Sequence, residues 1–365
     1  MKILILTTHF NTGGITSYVL TLGESLVKSG HQVWVASSGG NALERLEAVG
    51  IRHVTVNIRT KSEASIKLWQ SFGPLKRLIA QEGIDIIHAQ TRVTQVLGAC
   101  LSRVTGIRMV TTCHGFFKTR WFRKAFPFWG SAVIAISKPV AVHLKEDFNV
   151  DPLKIHFITN GIDLKRFAMA DEQMRQSARQ KWNMAERPLI GIIARLSDVK
   201  GIDVLVKAMP LVIKEIPAAN LLIAGQGPEE TALKELVHRM SLTAQVRFTN
   251  AINHPHEILC ALDVFVMPSL MEGLGLSVIE AQASGIPVIA SKVGGLIDLI
   301  EDGKSGYLVP VNDPQTLASR IVQVLKDPAR SKPIVRQARL NVEQHFSAGQ
   351  MLQKTLEIYE QYPRR

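Results

Sequence analysis

Along this chain, short apolar runs alternate with longer amphipathic stretches, the rhythm of parallel strands joined by helices. The opening KILILT (Lys2 to Thr7) predicts a first strand, and HQVWVAS (31–37), His53 to Val56, IDIIHAQ after Gly83, MVTTC (109–113), AVIAIS (132–137) and HFITN from His156 predict its partners. Thr16 or Ser17 is placed to cap a helix carrying Tyr18, Leu22 and Leu26. Leu68 to Gln81 reads as one amphipathic helix, and Lys138 to Phe148 as another with Val140, Leu144 and Phe148 on its apolar face. A second series follows the polar stretch Ala170 to Arg187: strands at LIGIIA (189–194), in ANLLIAG from Ala219, at Val246 to Thr249, Asp263 to Pro268 and Pro287 to Ala290. Its predicted helices are Ile202 to Met209, a short one opened by Ser277 and stopped at Gly285, Leu296 to Ile300, Pro314 to Leu325, Ser331 to Phe346 and Ala348 to Tyr362. GKSGYLVP reads as a hairpin-like return. The fold class is therefore α/β with two doubly wound, Rossmann-like domains, 1–167 and 168–345, and a last helical segment, 346–365.

Composition narrows this little. A chain of 365 residues is long for one core and comfortable for two. With 46% hydrophobic and 20% charged residues it has the make-up of an ordinary globular protein. No apolar run approaches the roughly 18 to 20 residues that cross a bilayer, and MKILIL is too short for a signal-peptide core. Cys100, Cys113 and Cys260 lack metal-ligand spacing and suit small buried residues in a reducing cytosol. Charge changes the picture more. Residues 1–165 hold 20 Lys and Arg against 10 Asp and Glu, while the rest is nearly balanced at 23 against 21. The first half is expected to face something acidic, with anionic lipid and nucleic acid both candidates on charge alone.

The densest chemistry lies in FVMPSLMEGLGLSVIEAQASGIPVIAS. A strand, a loop with Gly273 and Gly275, a helix opened by Ser277, and another strand set free backbone amides and a positive helix end at the edge of a parallel sheet. Glu272 sits in that loop and Glu280 eight positions on, in the helix. Carboxylates are poor partners for phosphate and good ones for paired sugar hydroxyls, so a ligand carrying both, a nucleotide sugar, is implied. Arg195 and Lys200 flank another turn that Gly201 closes before a helix, the make-up of a diphosphate clamp. Gly13 and Gly14 sit where backbone approaches something or where a turn needs positive φ; no G-x-G-x-x-G is present.

EGLGLSVIE followed by AQASGIPVIAS resembles the signature of the retaining glycosyltransferases of family four, which have the GT-B architecture of two facing Rossmann-like domains. RLSDVKG, CHG at 113–115 and NGID at 160–163 extend the resemblance over nearly the whole chain, with Ala194 and Asn250 standing where the family commonly has glycine. It implies that the last helix crosses back onto the first domain and that Asn160 lines the interdomain cleft. It implies a donor site of Gly13, Gly14, Asn160, Arg195, Lys200, Glu272, Gly273, Gly275, Leu276 and Glu280. There Arg195 and Lys200 meet the leaving diphosphate, Glu280 the ribose, Glu272 the transferred sugar, and His114 the reaction centre. The implied activity moves a hexose-type sugar, with retention, from a UDP- or GDP-linked donor to a hydroxyl of a glycan or lipid-linked acceptor. A front-face substitution is favoured, in which the leaving phosphate oxygen takes the acceptor proton. No metal is expected, in keeping with the absence of a D-x-D pair.

FFKTRWFRKAFPFWG (116–130) interleaves seven aromatics with Lys118, Arg120, Arg123 and Lys124. Such a segment, with Trp121 and Phe122 at its middle, suits an anionic membrane interface, and a wall packed on the protein's own core is the competing reading. Docking to the inner face of the cytoplasmic membrane would place the enzyme in envelope polysaccharide or lipopolysaccharide assembly. An epimerase on the same architecture is the alternative enzyme. A nucleic-acid-binding role is disfavoured, because no zinc knuckle, helix-turn-helix or R-G-G run is present.

Overall fold

The computed structural model describes all residues except 61, 64, 120, 182–186, 251–254, 363–365 and the side chain of residue 122. Two units emerge, Met1–Gly161 with Ala348–Arg365, and Ile162–Ser347. In the first, β1 (Lys2–Leu6), β2 (Gln32–Ser37), β3 (Arg52–Thr55), β4 (Ile86–Ala89), β5 (Arg108–Cys113), β6 (Ala132–Ala135) and β7 (Ile155–Phe157) form one sheet in the order β3-β2-β1-β4-β5-β6-β7. All its pairings are parallel. The central strands are continuous runs of buried Ile, Leu and Val, as burial on both faces requires. One face packs on the helix Gly14–Lys28 and the last helix, Ala348–Gln361, through Tyr18, Leu22, Met351 and Ile358. The other face packs on Phe72–Glu82 and Arg92–Thr105 through Leu75, Ile79, Leu97 and Leu101.

The second unit repeats the plan with β8 (Leu189–Ile193), β9 (Asn220–Ala224), β10 (Val246–Thr249), β11 (Val264–Met267), β12 (Val288–Ser291) and β13 (Tyr307–Val309), ordered β10-β9-β8-β11-β12-β13 and again parallel. In both sheets the strand order reverses direction beside the first strand, the switch point where α/β sheets open a crevice at their carboxyl ends. Phe167, expected to close the first domain, is buried in the second unit, where its carbonyl accepts from Arg339.

Several local expectations are corrected. The amphipathic stretch 68–81 is two helices, Ile66–Gln70 and Phe72–Glu82. The break falls at Ser71, which places Pro74 in the first turn of the second helix, where its missing N–H costs least. The first long helix begins at Gly14 without a side-chain cap; Thr16 lies inside it and donates to the Asn11 carbonyl at 2.6 Å. Ser277 does not open its helix either, which starts at Leu276 behind Gly275. The segment read as a hairpin-like return instead delivers β13 parallel to β12.

Within the polar stretch before β8 lies a helix, Glu172–Lys181. Its Arg175 and Arg179 pair with Asp263, which also accepts from the Leu189 amide at 2.7 Å. One carboxylate thus ties this helix to the starts of β8 and β11. Asp263→Ala leaves two cations and an amide short of an acceptor and is expected to cost about 2–3 kcal/mol. Urea unfolding of the variant measures this, and a midpoint equal to the parent's would show the clamp contributes nothing.

Candidate functional site

At the carboxyl edge of the second sheet, loops come together backbone against backbone. The amide of Leu196 donates to the Gln226 carbonyl at 3.0 Å, Leu270 to Val199 at 2.8 Å, and Gly295 to Glu272 at 3.0 Å. Glycine is obligatory at the crossings. A Cβ on Gly201 would lie 2.1 Å from the Pro268 oxygen, one on Gly227 2.1 Å from that of Leu196, and one on Gly294 2.0 Å from that of Glu272. Gly201 and Gly294 also take φ of 59° and 50°, which other residues resist.

The zipping of Val199 to residues 270 and 271 sets Lys200 beside Glu272. Their Nζ and carboxylate oxygen are 2.6 Å apart and largely shielded, and the Ser269 hydroxyl donates to the same carboxylate at 3.3 Å. Arg195, on the same turn as Lys200, is exposed and has no carboxylate partner among the described residues. Gly273 leads to Gly275, whose φ of 97° turns the chain into the helix Leu276–Ala283. The first amides of that helix have no acceptor within it. Glu280, one turn in, is 7% exposed. This edge therefore joins two cations, a helix N-terminus and two carboxylates, five of the features that the sequence assigned to a donor.

In the first unit, Gly13 and Gly14 are exposed at the start of a 15-residue helix. Gly13 has φ 164°, an extended backbone open to any residue, and a Cβ on Gly14 would meet nothing within 4 Å. Neither a positive φ nor crowding by the protein calls for glycine here. His114 follows β5; its Nε2 lies 2.8 Å from Gln90 Oε1, and Tyr18 meets its ring edge-on at 4.8 Å between centroids. Behind it runs a buried polar ladder that sequence reading missed. Tyr359 of the last helix bonds His88 Nδ1 at 2.7 Å, His88 Nε2 bonds the Thr112 hydroxyl at 2.7 Å, and Thr112 bonds Tyr18 at 3.2 Å. The only signal was two polar residues in the HAQ that ends β4, easily read as strand punctuation. Burial pushes His88, and likewise His114, down to about 3 from an ordinary 6.5, with the neighbouring His114 adding to the shift at His88. Asn160 is buried, and its Oδ1 has no partner among the described residues.

The aromatic-basic segment divides in two. Phe116, Phe117 and Trp129 pack inward against His143 and Phe148, a wall of the core. Arg123 leans over Phe117 and pairs with Glu63, which also holds the buried Arg92. Outward stand Lys118, Lys124 and Trp121, the last 78% exposed. Arg120 and the Phe122 side chain lie outside the described residues.

The model for "Glycosyltransferase Family 4" matches residues 12–166, and that for "Glycosyl transferases group 1" matches 174–341. A GDP-mannose-dependent α-(1-6)-phosphatidylinositol monomannoside mannosyltransferase of Mycolicibacterium smegmatis is 27% identical over 87% of each chain. A UDP-Gal:α-D-GlcNAc-diphosphoundecaprenol α-1,3-galactosyltransferase of Escherichia coli is 29% identical over 72% of each. Among solved structures, Anabaena Alr3699/HepE in complex with UDP-glucose superposes with a TM-score of 0.88 at 22% identity, over 99% of this chain and 100% of that one.

Two predictions follow from this geometry. Gly294→Ala meets both a backbone oxygen and a left-handed φ, the latter alone worth about 1–2 kcal/mol; a lowered melting temperature is expected, and an unchanged one would contradict the crossing. His88 and His114 stay neutral in the fold while the unfolded chain protonates near 6.5, so stability is full above that pH and falls as pH drops toward 3, by about 1.4 kcal/mol per unit for each. Urea midpoints at pH 7, 5.5 and 4 measure the slope, and a flat profile would mean that the histidines are not held neutral.

Proposed function

Because this chain belongs to the family-four, group 1 glycosyltransferases of GT-B fold, which use nucleotide sugars, we propose that it transfers a hexose-type sugar, with retention, from a UDP- or GDP-linked donor to a lipid-linked glycan. The observation that carries this reading is the joining of Arg195, Lys200, Glu272, Glu280 and a helix N-terminus at one sheet edge. Glu280 binds the ribose hydroxyls and the amides around Gly273, Gly275 and Leu276 take phosphate oxygens. The diphosphate competes with Glu272 for Lys200. Each Lys200–phosphate contact that forms releases the Glu272 carboxylate to accept from hydroxyls of the transferred sugar. As the bond from C1 to the phosphate oxygen lengthens, Arg195 and Lys200 face growing negative charge, which is where binding energy accelerates a reaction. The acceptor oxygen bonds to C1 and its proton passes to the departing phosphate oxygen. His114 and Asn160 make polar contacts to the reacting sugars. Metal is not required in this scheme, and turnover in EDTA is expected to equal that with Mg²⁺.

Lipid-linked acceptors are supported by the two relatives, whose names give a phosphatidylinositol mannoside and a diphosphoundecaprenol-linked sugar. No helix among the described residues is long and apolar enough to cross a membrane. Lys118, Trp121 and Lys124 instead dock the first unit on the anionic inner surface of the cytoplasmic membrane, where envelope polysaccharide or lipopolysaccharide is assembled.

Titrating UDP, GDP and their sugar conjugates in a thermal-shift series tests the donor site. Ligand at about 100 times its Kd adds roughly 2.7 kcal/mol of stability, so one nucleotide should raise the melting temperature clearly; no response to any of them would sink the reading. Glu280→Ala is expected to raise the donor KM about 10- to 100-fold, the worth of charge-assisted hydrogen bonds. Lys200→Ala should mainly lower kcat. Steady-state kinetics of the two variants separates these roles, and full activity in both would displace the donor from this edge.

A further inference from the structure

We infer that Gln90 is a positioning residue for the transfer reaction: its side-chain oxygen pins the His114 proton on Nε2, so that Nδ1 is presented as a hydrogen-bond acceptor to a sugar hydroxyl. The inference rests on the transferase reading for the identity of that hydroxyl, and on the first unit alone for the geometry.

Gln90 extends β4 by one residue, its amide donating to the Leu6 carbonyl at 2.9 Å, and it is 2% exposed. From there Oε1 reaches His114 Nε2 at 2.8 Å. A carbonyl oxygen only accepts, so the nitrogen facing it carries the proton. In a neutral imidazole the other nitrogen is then a lone-pair acceptor. His114 Nδ1 has no partner among the described residues and the residue is only partly buried, which leaves the acceptor for a ligand. The ring cannot swing away, because Tyr18 lies edge-on against it, and Tyr18 is held by the ladder through Thr112 and His88 to Tyr359. Among the described residues His88 and Tyr18 are the titratable side chains that bear on the ring, one a neutral imidazole and one a neutral phenol. Among the described residues no carboxylate bears on it, so none of them favours the imidazolium, which would turn Nδ1 into a donor. The Gln90 Nε2 is buried without an acceptor. The opposite amide orientation would supply Nε2 to His114 and move the ring proton to Nδ1, so amide orientation and tautomer are a single coupled choice.

The test uses the full-length protein in two parts. Nitrogen-15 NMR of labelled histidine reads the His114 tautomer directly; a proton on Nε2 is expected in the parent and a mixture of tautomers in Gln90→Leu. Kinetics then follow kcat and donor KM for Gln90→Leu and Gln90→Glu. Gln90→Leu is expected to lose at least tenfold in kcat with KM changed less than threefold. Gln90→Glu keeps the acceptor oxygen and should retain most activity at pH 8. Its carboxylate favours the imidazolium, so kcat should fall as pH drops below about 7, where the parent stays flat. A parent proton on Nδ1 overturns the inference, as does a Gln90→Leu enzyme with parental kcat, or a Gln90→Glu pH profile that matches the parent's. Absence of turnover by the parent with every nucleotide sugar would remove the transferase reading, and the tautomer measured by NMR would still decide the role of Gln90.

Discussion

The second unit depends on contact between backbones with no side chain between them. At the carboxyl edge of its sheet, peptide groups of 194–201, 225–227, 268–275 and 292–295 stack at distances that a single Cβ would break. Parallel strands bring their loops to one edge, and only close approach lets those loops hydrogen-bond each other instead of leaving their amides to water. The Lys200–Glu272 pair is a consequence. Val199 accepts from residues 270 and 271, and the two charges follow their backbones into place.

The first unit solves a different problem. Its site lies beside a switch point filled with polar side chains instead of glycine. His88, Thr112, Tyr18 and Tyr359 are buried and hydrogen-bonded in sequence, so each satisfies its neighbour and the unpaired-polar penalty is avoided. The last helix contributes one end of that ladder, and residues near 359 thereby support the shape around residue 114. The same helix closes the apolar face through Met351 and Ile358. Stability and site geometry share one set of contacts here, so acid, by charging the buried histidines, weakens both.

Much of this was legible beforehand because it is local. A buried parallel strand must be a short apolar run and a helix must repeat its apolar positions, so twelve of the thirteen strands among the described residues lie in or overlap segments predicted as strands, the exception being β13, expected in a hairpin-like return. Glu272, Glu280, Arg195 and Lys200 stood out because the strings that carry them, EGLGLSVIE and RLSDVKG, match the motifs of the resembling family. The errors were local too. Thr16 and Ser277 looked like caps, yet Gly13 and Gly275, three and two residues earlier, take the N-cap positions, since open or tightly crossed backbone outranks a cap bond worth about 1 kcal/mol.

By itself the sequence determined the two α/β units, the strand-to-helix turns and the residue types able to meet a nucleotide sugar, because these follow from periodicity and chain connectivity. Only the tertiary structure decided that Lys200 is paired to Glu272, that Gly13 and Gly14 are open while Gly201 and Gly294 are crowded, and that Gln90 holds His114. Each of those facts joins residues tens of positions apart or rests on the space left by another loop. Spacing along a chain carries no measure of that space; packing does.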